Sequence, residues 1–339
     1  DNDAQIAYQS NQENYLGNHP FILGNIKDQN PEKVPDFDIL LGGFPCQPFS
    51  NAGNRKGVED PRGTLFAEVE RFIKSKKPIA FVLENVKGIL SSKMPDGTFV
   101  TDEIIKRLSK VECENGEIIR YNIPKATLLK SNEYGVPQQR QRVFIIGIRE
   151  ELQTEFNFDL LCYAVKKDSL QKLTLKDVLK DIPDHVNHVR EYWQFSPQAS
   201  QLIPLIKRSW KDIPLEYLPP RFKKIRDQMK KYHAPNFYRR FGLDEINGTI
   251  IASAQPENCG IIHPLENRRF TIREIARIQS FPDDYDFPCK SIEGKYKVIG
   301  NAVPPVLAFV IAKTLYDHLT GSSMISNHNY SQQLSLNLF

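Results

Sequence analysis

Cysteine is scarce and scattered. Cys46, Cys113, Cys162, Cys259 and Cys289 are odd in number, far apart, and form neither a CxxC pair nor a cysteine and histidine cluster of zinc-ligand spacing. That pattern speaks against a disulfide framework and a structural zinc, and for free thiols in a reducing compartment. No uninterrupted apolar run approaches the ~18 residues a bilayer span needs, and the polar start Asp1-Asn2-Asp3 does not read as a secretory signal. The expected location is therefore the cytoplasm, with no membrane partner. An excess of one charge is missing too: 45 Lys and Arg against 41 Asp and Glu leave a net +4, too little for the total to identify a polyanionic partner. What is present, 40% hydrophobic and 25% charged residues over 339 positions, is ordinary globular composition, long enough for a large core and two unequal lobes.

Along the first half of the chain, short apolar runs alternate with helical spacing. Ala4 to Tyr15 reads as a short helix, and His19 to Asn25 and Phe37 to Leu41 as strands. Leu65, Phe66, Val69, Phe72 and Ile73 predict an amphipathic helix ending in Lys74-Ser75-Lys76-Lys77, cations that suit a helix C-terminus. Ile79 to Leu83 follows as a strand, then a helix from Thr101 through Leu108, then strands at Ala126 to Leu129 and Val143 to Ile148. Continuous apolar strands between helices predict an α/β fold with a doubly wound, mainly parallel sheet covered on both faces, and residues 1–149 form this first lobe.

From 150 to 263 the periodicity weakens, prolines accumulate, and basic and aromatic residues interleave, as in Phe222-Lys223-Lys224-Ile225-Arg226 and Phe237-Tyr238-Arg239-Arg240-Phe241. Such a mixture is either a solvated irregular surface or, beside an active-site lobe, a contact surface for phosphates and bases. Regular structure resumes over 264–319. Thr271-Ile272-Arg273-Glu274 has capping-box spacing and opens a helix stopped by Pro282, and a last helix runs from Val306 to Leu319. Residues 320–339 read as a mobile tail.

The chemistry gathers at strand ends. Gly42-Gly43-Phe44-Pro45-Cys46-Gln47-Pro48-Phe49-Ser50 places a thiol at the exit of one strand, Glu84 closes the next, and Gln138-Gln139-Arg140-Gln141-Arg142 opens another. In open α/β folds these ends share one edge, so a thiolate, an acid and a guanidinium could face one small planar substrate. Taken singly, Cys46 is as readily a small core residue, Glu84 a cap and the arginines surface ion pairs. Together they suit addition of a soft nucleophile to an electron-poor double bond such as C6 of a pyrimidine, with the acid at N3 drawing electrons away and the arginine steadying both the carbonyl and the acid.

In order, Phe-Pro-Cys-Gln-Pro-Phe-Ser, Glu84-Asn85-Val86, the Gln-Arg-Gln-Arg strand start, Arg269 to Glu274 with Gln279-Ser280-Phe281-Pro282, and Gly300-Asn301-Ala302-Val303-Pro304 resemble the motifs of DNA cytosine-5 methyltransferases over roughly residues 1 to 319. The resemblance implies a methyltransferase of a bacterial restriction-modification system. It would carry methyl from S-adenosylmethionine to C5 of a cytosine flipped out of duplex DNA, with Cys46 as covalent nucleophile. Carried over by position, Glu84 contacts N3, Arg142 supports Glu84 and the cytosine O2, and Arg140 has a supporting or phosphate role. Asn25, Pro45, Leu65, Asn301 and Ala302 would meet the cofactor. Gln47, Ser50, Arg62, Arg239, Arg240 and Thr249 would meet DNA, with 150–263 as target recognition domain and no metal involved.

The family's Phe-x-Gly-x-Gly-Gly cofactor turn, with the acid and aromatic that follow it, is not in this sequence, and Asn25 stands where the family usually has aspartate. The expectation is that an upstream segment or a second polypeptide supplies the turn, and that this chain alone binds S-adenosylmethionine weakly. Two other functions stay open: an RNA cytosine-5 methyltransferase, and a DNA-binding subunit without catalysis. Gln333-Leu334-Ser335-Leu336-Asn337-Leu338-Phe339 resembles the peptide by which bacterial proteins dock on the sliding clamp. A nucleoid-associated cytoplasmic protein fits all of these.

Overall fold

The computed structural model describes residues 1–17, 19–44, 64–163, 173–227, 236–257 and 259–321. The expectations placed on Pro45, Cys46, Gln47, Ser50, Arg62 and Gln333 to Phe339 lie outside the described residues. The helices are α1 (Asn2–Ser10), α2 (Thr64–Lys76), α3 (Val100–Ser109), α4 (Leu175–Leu179), α5 (Pro197–Leu202), α6 (Pro220–Asp227), α7 (Ile272–Ile278), α8 (Ile292–Asn301) and α9 (Pro305–Thr320). The strands are β1 (Ile39–Gly43), β2 (Ala80–Val86), β3 (Lys110–Glu112), β4 (Ile118–Asn122), β5 (Thr127–Lys130) and β6 (Gln141–Arg149).

The sheet runs β1-β2-β6-β4-β3, with β5 paired to the first half of β6. The α/β class is as expected, but the described sheet is mixed and not mainly parallel. Only β1 and β2 run parallel, because α2 crosses over between them; β2, β4 and β5 all lie antiparallel to β6, and β3 to β4. The later links are too short for a crossover: a turn at Cys113 to Glu117 closes a β3–β4 hairpin, and a 3-10 turn (Ser131–Tyr134) leads β5 back into β6. Both faces of β2 and β6 are covered, which is why their sequences are unbroken apolar runs. On one face Phe81, Leu83, Val143 and Ile145 pack with α2 and α3; on the other Ala80, Val82, Phe144, Ile146 and Ile148 pack with Leu307, Val310, Ile311 and Leu315 of α9. Gly147 is required where the two strands meet, since a Cβ there would lie 2.3 Å from the Phe81 ring.

The expected strand at His19 to Asn25 is absent from the described structure. Ile22 and Leu23 are exposed, and the following turn is held by Arg71 of α2, which donates to the carbonyls of Gln29 at 2.7 Å and Ile26 at 2.8 Å. No described strand pairs with residues 19–25. The stretch Ile292–Thr320 has the length and hydropathy of a membrane span, yet half of its most apolar window is buried, and α8 and α9 are separated at Ala302 to Pro304.

The aromatic residues between 175 and 270 are mostly interior. Trp210, Phe222, Tyr238 and Phe241 form one core with Ile250, Ile261, Phe270, Ile275, Ile278, Phe287, Tyr296 and Ile299, so α7 and α8 pack with the irregular segment and α9 with the sheet. That core crosses the expected boundary at 263. Cations lie over the outer aromatic faces, Arg226 over Trp210 at 4.9 Å and Arg239 over Phe241 at 4.3 Å. The interleaved pattern is thus largely a core with its cationic cover. α7 carries the capping box read from the sequence, Thr271 accepting from Glu274 N and Glu274 accepting from Thr271 N.

Candidate active site

β1 delivers the chain to the edge of interest. Phe44, the first residue after it, is buried with its ring 5.8 Å from that of Phe66 on α2, and its carbonyl accepts from the side-chain amide of Asn85 at 2.8 Å. Asn85 is itself buried at the end of β2. Two residues before Cys46 the backbone is therefore fixed to the strand that carries Glu84.

Register places Glu84 opposite Gly43 on one side and opposite Phe144 on the other, with Arg142 opposite Val86. Arg142 reaches back diagonally, and its Nε lies 2.7 Å from Glu84 Oε1, while its Nη1 donates to the carbonyl of Gln141 at 2.8 Å. Their side chains keep 15% and 23% of their surface exposed, so the pair sits at the mouth of the sheet and not within its core. Burial holds Arg142 below its ordinary pKa, and the Glu84 charge and hydrogen bond oppose that. With Nε and Oε1 engaged, the remaining guanidinium nitrogen and carboxylate oxygen can present a donor beside an acid or acceptor to an incoming ring.

Arg140 has a different fate. It is 1% exposed, and its Nη1 donates to the carbonyl of Ile250 at 2.9 Å. Burial, with Arg142 beside it, pushes its guanidinium down to about 9. The phosphate role is corrected, because a side chain closed off from solvent cannot meet a backbone phosphate; of its two expected roles only support remains.

Around it the separate sequence motifs become one network. Thr249 Oγ1 donates to the carbonyl of Gln139 at 2.5 Å, Gln139 N to that of Asn247 at 2.8 Å, and Ile250 N to Gln138 Oε1 at 2.8 Å. The Gln138 amide donates to Gln279 Oε1, and Gln279 Nε2 donates to the carbonyls of Ile299 at 3.0 Å and Ala302 at 2.8 Å. Gly300 lies so close to this junction that a Cβ would sit 2.4 Å from the Ile251 carbonyl carbon. Asn85, Gln138 and Gln279 were legible only as members of motifs; nothing in their spacing announces that they are buried tethers.

The other expected residues are dispersed. Arg240 is buried and donates to the carbonyls of Ile206, His263, Glu266 and Ile203 and to Asn267 Oδ1, at 2.7 to 3.0 Å. It is a structural residue, not a DNA contact, because its donors are consumed inside the fold. Arg239 keeps 41% of its side chain exposed while pairing with Glu245 at 2.8 Å, and Thr249 is half-buried at the network's edge. Asn25 is exposed and accepts from Lys27 N at 3.2 Å as a cap; Leu65 packs into the core under α2; Asn301 is exposed at the end of α8, beside Ala302. No hydrogen bond among the described residues joins Asn25 to Asn301 or Ala302.

Known proteins resemble the chain over most of its length. A family model described as C-5 cytosine-specific DNA methylase matches residues 1–317. The Type II methyltransferase M.PspPI of Psychrobacter sp. is 36% identical over 299 residues, 82% of this chain and 63% of that protein. The Type II methyltransferase M.Sau96I of Staphylococcus aureus is 36% identical over 308 residues, 88% of this chain and 64% of that protein. The chain thus spans less than two thirds of the length of these two relatives, whereas it spans 87% of the Type II methyltransferase M.FnuDI of Fusobacterium nucleatum, at 34% identity over 92% of its own length. Among solved structures, the S. pombe Dnmt2 methyltransferase has a TM-score of 0.57 at 17% identity, covering 94% of this chain and 88% of that one, a likeness of fold.

Proposed function

The chain belongs to the C-5 cytosine-specific DNA methylase family, and from that premise we propose that it methylates C5 of a cytosine in duplex DNA as the modification activity of a Type II restriction system. One observation carries it: the Glu84–Arg142 pair, 2.7 Å apart on the edge to which Asn85 ties the chain entering Cys46. The Cys46 thiolate adds to C6 of the base as Glu84 protonates or hydrogen-bonds N3, which leaves the electron pair at C5; Arg142 orients Glu84 and holds O2. A bound sulfonium donor would supply the methyl group and remain as its neutral thioether; the C5 proton then passes to a base as the C5–C6 double bond re-forms and the thiolate leaves. Because C5 and C6 are stacked in a duplex, the base has to be extruded, at a cost of a few kcal/mol.

The methyl donor in this proposal is S-adenosylmethionine, but the described residues do not by themselves fit it. Asn25 uses its side-chain oxygen as a cap, and no hydrogen bond among the described residues joins it to Asn301 or Ala302. We read the outer edge of β1 as the place where a further strand adds, carrying the glycine turn that this sequence does not contain. Ile39 and Leu41 lie exposed on one face of β1, Leu41 with 73% of its surface exposed, and β1 has a single neighbour among the described strands. A half-buried apolar edge strand of this kind is a template for pairing.

Two experiments decide. With the segment carrying the glycine turn and S-adenosylmethionine both present, the protein should form a covalent complex with 5-fluorocytosine DNA that Cys46→Ser abolishes; binding to DNA without any covalent complex refutes the enzyme reading and leaves the DNA-binding subunit. Calorimetry on residues 1–339 alone should show weak binding of S-adenosylmethionine; stoichiometric tight binding refutes the added strand. Bisulfite mapping then assigns the site.

A further inference from the structure

We infer that Gln138 and Gln279 are positioning residues. They form a buried amide pair that ties the element Asn247 to Ile250 and the turn at Gly300 to Ala302 to the strand start carrying Arg142, so that seating of DNA and of the cofactor side sets the Glu84–Arg142 geometry. The inference rests on the function proposed above.

Both side chains are fully buried, and their partners fix which way each amide points. Gln279 donates to two carbonyls, Ile299 and Ala302, so its nitrogen faces them and its oxygen faces Gln138. Gln138 accepts from Ile250 N, so its oxygen faces the recognition element and its nitrogen faces Gln279. Neither amide can flip without placing carbonyl against carbonyl. Donation therefore runs in one direction, from Ile250 N through Gln138 and Gln279 to the carbonyl of Ala302, and Arg140 joins it by donating to the Ile250 carbonyl. Arg142 lies four residues beyond Gln138 at the start of β6. A shift of Ile250 or Ala302 has to move that strand start or break a buried hydrogen bond, and misplacement of a reacting group by about 1 Å costs about 100-fold in rate.

The test uses the whole protein with S-adenosylmethionine and a duplex carrying its mapped site. Gln138→Met should lower kcat by about 10- to 100-fold with the KM for the donor changed by less than about threefold. Gln279→Met, which releases Ala302, should also raise the donor KM. The double variant should be no worse than the poorer single, since both break one chain. Gln138→Glu supplies a readout that a purely packing role does not move: its carboxylate cannot donate to Gln279, but its protonated acid can, so the ratio of its rate to wild type should rise as pH falls from 8 to 6. Multiplicative single effects with a flat pH ratio, in proteins of wild-type circular dichroism, overturn the inference and leave the function standing. Failure of both Gln138 variants to fold overturns it in favour of a packing role. A wild-type protein that neither transfers methyl nor forms the 5-fluorocytosine adduct removes the function and this inference together.

Discussion

Glu84→Gln separates the chemistry of the site from its architecture. The amide keeps the size of the acid and an oxygen that can still accept from Arg142 Nε, at the 2.7 Å now occupied by Oε1. What it loses is the charge and the proton that N3 of the base would receive. Removing a general acid typically slows a reaction by about 10² to 10⁴, or about 2.7 to 5.4 kcal/mol at 1.36 kcal/mol per decade. The stability effect is on a smaller scale. An exposed ion pair is worth about 0–1 kcal/mol, and breaking a fully buried one costs about 3–5 kcal/mol. With side chains 15% and 23% exposed and one hydrogen bond conserved, the loss here should be about 1 kcal/mol, a Tm change of a few degrees at most. The assay is transfer of labelled methyl into substrate DNA, with adduct formation on 5-fluorocytosine DNA measured in parallel and Tm by calorimetry. Activity within about threefold of wild type, with the adduct rate unchanged, would refute Glu84 as the acid; a collapse of Tm by ten degrees or more would show that the pair is structural.

Three more outcomes follow from particular contacts. His263 accepts at Nδ1 from the amides of Glu266 at 3.0 Å and Leu265 at 3.3 Å, and burial holds its pKa below the ordinary value. The unfolded chain therefore takes up a proton at a pH where the folded one does not. Its contribution is complete above the unfolded value near ~6.5 and is lost as pH falls through that value toward the folded one. The guanidinium midpoint of wild type should accordingly drop more steeply between pH 7 and 5 than that of His263→Gln, and equal slopes count against the assignment. Arg240→Met strands several buried carbonyls and should cost about 3 kcal/mol or more in denaturation. Arg239→Met should leave stability within about 0.5 kcal/mol but reduce the slope of log affinity against log salt by about one; reversed roles for the two arginines would sink this distinction. Gly300→Ala places a methyl against the backbone of Ile251 and Ala252, where nothing flexible can yield, and should lower stability by about 1–3 kcal/mol or more by thermal melting.

The parts of the fold that were legible are those with a local cause. Unbroken apolar runs in β2 and β6, the cations closing α2, and the Thr271 to Glu274 capping box each carry their signal within a few residues. Strand direction was not legible, because it depends on which connections are long enough to cross over, and β3 and β4 are too short and too polar to mark the hairpin that turns the sheet antiparallel. The strand predicted at His19 to Asn25 failed for a related reason. Apolar residues predict a strand only if a neighbour is there to pair with, and that stretch instead leads into a turn held by Arg71.

The site divides along a similar line. Residue type and order were enough to mark Glu84 and the Arg140 and Arg142 pair as candidates, because an acid and a guanidinium at neighbouring strand ends can face one substrate. They were not enough to separate Arg142 from Arg140, or Arg239 from Arg240, since each pair is equally basic and nearly adjacent in sequence. The difference lies in what surrounds each guanidinium. Arg140 and Arg240 enter spaces lined by carbonyls from distant segments, Ile250 for one and Ile203, Ile206, His263 and Glu266 for the other. Arg142 and Arg239 meet a carboxylate at a partly open edge. A guanidinium closed inside the fold on backbone carbonyls is a cross-link, and one paired with an acid at a partly open edge keeps a donor for a substrate. Applied to the basic run Lys223-Lys224-Ile225-Arg226, this criterion separates Arg226, whose guanidinium lies over Trp210 and donates to the Ile213 carbonyl at 2.5 Å and the Trp210 carbonyl, from the lysines before it. Substituting Arg226 should therefore change melting temperature before it changes affinity for DNA.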